Sequence, residues 1–421
     1  MPKFIALRKK SNVQKNLATL SIADKRSQLV NNQLFPKHDE ILTGLGFKQI
    51  ALATSVEDEQ GPSFMFLNHL GAYIVNSADE QEIEAAQKSF DESTYDIVPD
   101  VQLSLPKPTC SQEVFYRRRQ CSWPVESGIR YAHENGVTGK GVLVGVLDTG
   151  CDADHIQFRR HRIDFRYVSP HSGPDNLREV RAFDVDGHGT HVCGIIAGQH
   201  IGIAPGADLM VASVIESETY RASLARISIA LDWMLSQFGS QENRNRPIIV
   251  NMSLGFIPEH ISKDDQGLMV GIRALISTLV SFDVLPIVAI GNEGPGKMRV
   301  PGHFPETLSV GAVGFNHKPA CFSGGGYSPD GEIQPNIAGY GVDIFSSLER
   351  NKNNRSSYTC MSGTSMATPY VAGIAALHAS ADSTLYGEAL REHLLNTALP
   401  LQASTDRVGA GLARFIENGN T

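Results

Sequence analysis

The run Val142-Leu143-Val144-Gly145-Val146-Leu147 has no polar residue on either face of an extended chain, and it leads directly into Asp148-Thr149-Gly150. A short, β-branched, wholly apolar run reads as a strand covered on both sides, the environment of a parallel sheet flanked by helices. The chain is therefore expected to build an α/β fold with Asp148 at the carboxyl end of a strand. Open α/β sheets gather their ligands and catalytic groups outside those ends.

Two further segments end on chemistry of the same kind. In Asp186-Gly187-His188-Gly189-Thr190-His191-Val192-Cys193-Gly194, glycines flank a histidine and small and apolar residues continue as a helix, which puts His188 in its first turn. In Met361-Ser362-Gly363-Thr364-Ser365-Met366-Ala367-Thr368-Pro369, a serine precedes the apolar helical run from Val371 to Leu377. A hydroxyl at a helix N-terminus lies beside unpaired backbone N–H groups that can stabilise an oxyanion. Taken singly, Asp148 reads as a turn residue and Ser365 as part of an ordinary helix start. It is their joint occurrence that points to a serine, a base and an orienting acid.

Asp148-Thr149-Gly150, His188-Gly189-Thr190-His191 and Gly363-Thr364-Ser365-Met366-Ala367-Thr368-Pro369 resemble the three signature blocks of subtilisin-like serine proteases, in that family's order Asp, His, Ser. A fourth block, Ile287-Val288-Ala289-Ile290-Gly291-Asn292-Glu293-Gly294, agrees with it. The resemblance implies a three-layer α/β fold with a mainly parallel sheet between helices. It makes Ser365 the nucleophile, His188 the base and Asp148 its orienting acid, with Asn292 completing the oxyanion hole. His191 is a structural neighbour in the family pattern. The implied reaction is peptide-bond hydrolysis through an acyl-enzyme, with a protein or peptide as substrate and no cofactor in the chemistry.

Rival readings are weaker. The glycines of Gly136-Val137-Thr138-Gly139-Lys140-Gly141 precede a strand, whereas a dinucleotide-binding loop follows one. Cys110, Cys121, Cys151, Cys193, Cys321 and Cys360 form no Cys-x-x-Cys pair and no metal-ligand spacing. Cys193 and Cys360 lie near the His and Ser blocks as packing residues or as points of mercury or oxidant sensitivity. The net charge of −8 comes with no basic stripe for nucleic acid, and no apolar stretch has the length of a membrane span. The first ten residues lack the apolar core of a secretory signal, so the expected location is cytoplasmic.

The chain is 421 residues long, and more than a hundred precede Asp148, which predicts a second domain. Periodicity there predicts a strand over 3–8, a helix over 22–32, strands over 47–53 and 64–75, a helix over 80–90 and a last strand over 95–105. This β-α-β-β-α-β order matches a ferredoxin-like α+β unit with an insertion over 34–44. It also resembles the inhibitory prodomain of subtilases, an accessory binding domain being the alternative. The expected division is a prodomain-like unit over 1–105, a linker with a processing site over 106–120 and a catalytic domain over 121–421. In the family the first unit is an intramolecular inhibitor. Arg117-Arg118-Arg119 is then either a cut site or a solvated charge cluster.

The resemblance also implies a substrate strand laid beside Ser253-Leu254-Gly255, with the first specificity pocket lined by that segment and by Ala289, Ile290 and Gly291. Phe256 stands where a second glycine is common. Arg299 falls near the pocket floor, where it favours an acidic substrate residue, pairs with Glu293 or points to solvent. Glu216-Ser217-Glu218 adds charge to the opposite wall, consistent with an outer subsite for basic residues. No metal ligand set is predicted. The calcium loop common after the family's catalytic-histidine helix is missing between Ala197 and Pro205, and Gln157 replaces a usual carboxylate ligand. Other calcium sites stay open.

Overall fold

The structure is a computed structural model that describes residues 4–9, 17, 20–30, 38–50, 61–103, 111–113, 123–170, 177–216, 222–257 and 266–416. Arg117, Arg118, Arg119, Ser217 and Glu218 lie outside the described residues, as do most of the linker, Cys110 and Cys121.

Before residue 104 the chain forms β1 (Phe4–Arg8), α1 (Ile22–Val30), α2 (Asp39–Gly44), β2 (Lys48–Gln49), β3 (Ser63–Leu67), β4 (Ala72–Asn76), α3 (Glu80–Ser89), β5 (Tyr95–Pro99) and β6 (Gln102–Leu103). Five of these strands make a sheet in the order β2-β3-β4-β1-β5, antiparallel except for the short edge pair β2-β3. With β1 between β4 and β5, this is the split arrangement of a ferredoxin-like unit.

Three expectations change in detail. The strand over 64–75 is a hairpin, turned at Asn68-His69-Leu70-Gly71, where Gly71 has φ 64° and its N–H reaches Leu67 O at 2.8 Å. The strand over 95–105 breaks after Pro99, because the Asp100 carboxylate turns to accept the Ala225 N–H at 2.9 Å. The insertion over 34–44 carries helix α2. Residues 51–53 and 31–32 of the expected strand and helix lie outside the described residues.

The second part comprises β7 (Ser111–Glu113), α4 (Ile129–Glu134), β8 (Leu143–Asp148), β9 (Ile163–Val168), β10 (Leu177–Glu179), α5 (His188–Ala197), β11 (Asp208–Ser213) and β12 (Ala222–Ser223). It continues through α6 (Leu224–Phe238), β13 (Ile248–Met252), α7 (Gln266–Ser281), β14 (Val284–Ala289), β15 (Leu308–Val313), the short hairpin β16 (Gly326–Tyr327) and β17 (Ile333–Gln334), and β18 (Ile337–Tyr340). It closes with β19 (Ile344–Leu348), β20 (Ser357–Met361), α8 (Thr364–Ala381), α9 (Gly387–Thr397) and α10 (Thr405–Val408).

Its main sheet has eight strands in the order β10-β9-β11-β8-β13-β14-β15-β18, parallel apart from β10 at the edge. Alternation along β8 explains the three layers. Val144 and Val146 pack with α5 and α8 residues such as Ile195, Val371 and Ile374. Leu143 and Leu147 pack on the other face with Met234 of α6 and Ile276 of α7. Gly145 is small because a Cβ there would lie 3.2 Å from the Met234 sulfur. Chain order reverses on either side of β8, so its carboxyl end opens at a switch point.

The N-terminal sheet uses its two faces differently. Phe4, Ala6, Tyr73 and Val75 share a core with Leu42 of α2 and Ile83 of α3. Ile5, Leu7 and Val98 instead join the cluster of α6 and α7. Gly271 of α7 allows this contact, since a Cβ there would lie 2.6 Å from Leu7 Cδ1 and 2.8 Å from Val98 Cγ1. Polar bonds add direction. Arg26 is fully buried and donates to Phe282 O at 2.9 Å, Arg246 O at 2.5 Å and Asp283 O at 3.0 Å.

Candidate active site

β8 delivers Asp148 fully buried, and the Thr149 N–H donates to its Oδ1 at 2.8 Å. Gly150, at φ 134°, is required for the turn that follows, because a Cβ there would fall 2.1 Å from Phe183 O. Helix α5 then starts at Gly187 in the left-handed region, φ 92°. Asp184 organises that start: Oδ1 accepts the Asp186 and Gly187 N–H groups at 3.1 Å, and Oδ2 accepts the Thr190 N–H and Oγ1 at 2.7 Å. The first helical residue, His188, thereby places Nδ1 2.7 Å from Asp148 Oδ1.

The electrostatics suit a base. Burial pulls the His188 imidazole down, but the charge and hydrogen bond of Asp148, helped by Asp186 and Asp184, outweigh it and raise the pKa above the ordinary 6.5. A carboxylate facing Nδ1 favours the tautomer that carries the proton there, which leaves a lone pair on Nε2. Neither His188 Nε2 nor Asp148 Oδ2 has a partner among the described residues.

Ser365 is the second residue of α8 and is wholly buried. Pro369, four residues on, has no N–H for the Ser365 carbonyl. Ser253 Oγ donates to that carbonyl instead at 3.1 Å, and Ser365 Oγ donates back to Ser253 O at 3.3 Å. The hydroxyl rests on Ser253 and makes no hydrogen bond to His188 Nε2. Asn292 follows β14 by three residues. Its Oδ1 accepts the Thr364 N–H and Oγ1, both at 2.9 Å, which orients the amide. The opposite end, Nδ2, faces Gly363, where a Cβ would lie 3.2 Å away.

The other expected residues divide into neighbours and bystanders. Ser253, Leu254 and Gly255, with Ala289, Ile290 and Gly291, flank the start of α8, and the Gly291 N–H reaches Thr364 Oγ1 at 3.3 Å. Arg299 takes the paired option: Nε and Nη2 donate to Glu293 Oε1 at 2.9 and 2.6 Å. Phe256 exchanges both backbone bonds with Val300, at 3.1 and 3.0 Å. Glu216 accepts the Tyr167 hydroxyl and lies 4.0 Å from Arg226, so its charge is matched internally. His191 has Nε2 facing Ile344 O at 3.0 Å and Thr359 O at 3.3 Å. Burial, reinforced by the charge of His188, pushes it down to about 3, a neutral structural residue. Cys193 is buried beside the Cys151 thiol, and Cys360 is half-buried.

Two residues of this region escape a reading of the blocks. Asp184 had a usable signal, an Asp two and three residues before turn N–H groups it can accept. Glu349 had none. It lies against Gly187, where a Cβ would be 1.9 Å from its Oε2, and burial, with the charges of Asp184, Asp186 and Asp152, pushes it up to about 7. Among the described residues no cluster of three or more His, Cys, Asp or Glu could hold a metal, and no helix is long and apolar enough to cross a membrane.

A sequence profile of the Subtilase family matches residues 139–414, well over half of the chain. The chain belongs to the subtilase family. This subtilase is similar to the subtilisin-like protease PopC of Myxococcus xanthus, 44% identical over 367 residues, which covers 84% of this chain and 77% of the relative. It is 33% identical over 294 residues to an intracellular serine protease of Paenibacillus polymyxa, covering 66% of this chain and 80% of that one. It is 32% identical over 295 residues to subtilisin BL of Lederbergia lenta, covering 67% and 91%. The subtilase is thus a subtilisin-like serine protease, with the parallel-sheet α/β fold of its family.

Proposed function

We propose that this protease is an endopeptidase in which Ser365 Oγ attacks the substrate carbonyl while His188 Nε2 takes its proton. His188 then returns the proton to the leaving amine, and water hydrolyses the acyl-enzyme by the same exchange. Asp148 holds the imidazole in the tautomer that leaves Nε2 basic. Asn292 and the Ser365 N–H stabilise the developing oxyanion. In subtilisin, losing the corresponding asparagine costs about 3 kcal/mol of barrier, a size taken over here by likeness. The observation that carries the reading is the 2.7 Å His188–Asp148 contact, with Nε2 and the lone pair it bears left without a partner among the described residues.

The same reading makes the N-terminal unit, 1–105, an intramolecular inhibitor of the catalytic domain, 121–421, with the processing site in the linker. Two strand pairings support it. β6 adds antiparallel to β12, with Leu103 opposite Ala222, and β7 adds antiparallel to β20, with Ser111 opposite Met361. Met361 is four residues before Ser365, so the second pairing holds the linker close to the nucleophile. The cut then falls between the two pairings, at the upstream end of the 106–120 window and short of the arginine run. Expressing the wild type beside Ser365→Ala tests this: a shortened product from the wild type alone is expected, and equal full-length bands for both would overturn it.

Calcium at the usual site after the His helix is not part of the proposal. Gln157 spends its amide on the protein, Nε2 donating to Tyr358 Oη at 2.9 Å and Oε1 accepting the His200 N–H at 2.8 Å. An unchanged melting temperature in chelator is expected. The resemblance to an intracellular relative supports a cytoplasmic location, and fractionation of the producing cells checks it.

A further inference from the structure

On the proposed roles of Ser365 and Asn292, the residue before the cut bond projects its side chain between the two segments that flank the start of α8. These are Ser253-Leu254-Gly255 on one side and Ile290-Gly291-Asn292 on the other, tied to Ser365 and Thr364 by the bonds at 3.1, 3.3 and 2.9 Å described above. Arg299 runs across the space between them. Its N–H donates to Ile290 O at 2.8 Å, and its Nη1 donates to Gly255 O at 3.2 Å.

The two glycines show how full that space is. A Cβ on Gly291 would meet Glu293 Oε2 at 2.6 Å and Arg299 Cγ at 2.9 Å, and one on Gly255 would meet Arg299 Cβ at 3.1 Å. Arg299 is only 5% exposed, and both bonds to Glu293 Oε1 are shorter than 3 Å. The floor between the walls is therefore an ion pair of a buried Arg299 with a half-buried Glu293.

We infer that the Arg299–Glu293 pair closes the bottom of the first specificity pocket and restricts cleavage to peptide bonds that follow a small, uncharged residue such as alanine or serine. The inference rests on the proposed roles of Ser365 and Asn292. An acidic side chain finds no free positive charge, because Glu293 already balances Arg299. A large apolar side chain would have to displace the pair or cover it with hydrocarbon, and leaving a charge buried without its partner is costly. Differences of a few methylene groups in a pocket typically change kcat/KM by about 10- to 200-fold.

The test uses peptides that differ only in the residue before the cut bond: Ala, Ser, Leu, Phe, Glu and Lys. Active enzyme is counted by fluorophosphonate titration. The wild type should cleave after Ala and Ser at least about 10-fold faster than after Phe, Glu or Lys. Arg299→Gly should raise the Phe-to-Ala ratio about 10-fold or more by opening the floor. Glu293→Gln leaves Arg299 unbalanced and should raise the Glu-to-Ala ratio, an effect that weakens with added salt. Fastest wild-type cleavage after Phe, Glu or Lys, or unchanged ratios in both variants when they still react with the probe, would overturn the inference while leaving the nucleophile assignment standing. A wild type that neither reacts with the probe nor cuts any peptide would remove the underlying reading and the inference with it.

Discussion

The candidate active site and the junction between the N-terminal sheet and α6 each hold a buried aspartate facing a histidine, and they spend it in opposite ways. At the centre, Asp148 Oδ1 meets His188 Nδ1 at 2.7 Å, while Asp148 Oδ2 and His188 Nε2 have no partner among the described residues. At the junction, Asp232 of α6 fills both oxygens, accepting the His69 and Leu70 N–H groups at 2.7 and 2.9 Å and facing His69 Nδ1 at 3.1 Å. A saturated carboxylate fixes the hairpin turn of another sheet. A carboxylate that orients a ring whose far nitrogen stays open prepares a base.

The comparison breaks most visibly at the nucleophile. Ser365→Ala should lower kcat/KM by about 10⁵- to 10⁶-fold, and His188→Ala should cost about as much alone as together with it, because the pair acts as a unit. A progress curve on a peptide substrate measures both. Asn292→Ala should lower kcat about 10²- to 10³-fold with little change in KM, as expected for a group used mainly in the transition state.

At the junction the effect should be on stability. Asp232→Ala removes the acceptor for two backbone donors and the partner of His69, at a cost of about 2–3 kcal/mol. A thermal melt in the Ser365→Ala background reads this directly, and in the wild-type background activity should appear sooner after purification. The smallest expected effect concerns pH. His188 must be neutral to act as a base, and its pKa is raised, so kcat/KM should fall as pH drops through a value above 6.5. Asp186 is one of the charges that raise it, and Asp186→Asn should move that limb toward lower pH by less than about one unit.

Legibility in the sequence differs between the same two regions. Asp148, His188, Asn292 and Ser365 stand out in the sequence because each lies in or beside a glycine-marked local block, and β8 declared the buried parallel sheet by being apolar on both faces. In the N-terminal unit, period alone marked the apolar stretches but not how many strands each holds. The hairpin was not legible, because the apolar stretch from Phe64 to Val75 hides a turn whose stabilising acceptor, Asp232, is distant in sequence. The break after Pro99 has the same cause: Asp100 answers to the N–H of Ala225 on α6. The Arg299–Glu293 pair was one of several open readings, and it takes the fold to show the two bonds that join them. Ser253 as the substitute donor for the missing Pro369 N–H needs the fold as well, since local sequence reveals the gap but not what fills it.

Mass spectrometry of the protein labelled with a fluorophosphonate tests the central claim most directly. A single adduct mapped to Ser365, absent from His188→Ala and blocked by a peptide substrate, is predicted. Labelling at another residue, or none in a folded wild type that has released its N-terminal unit, would contradict the assignment of Ser365 and His188 as nucleophile and base.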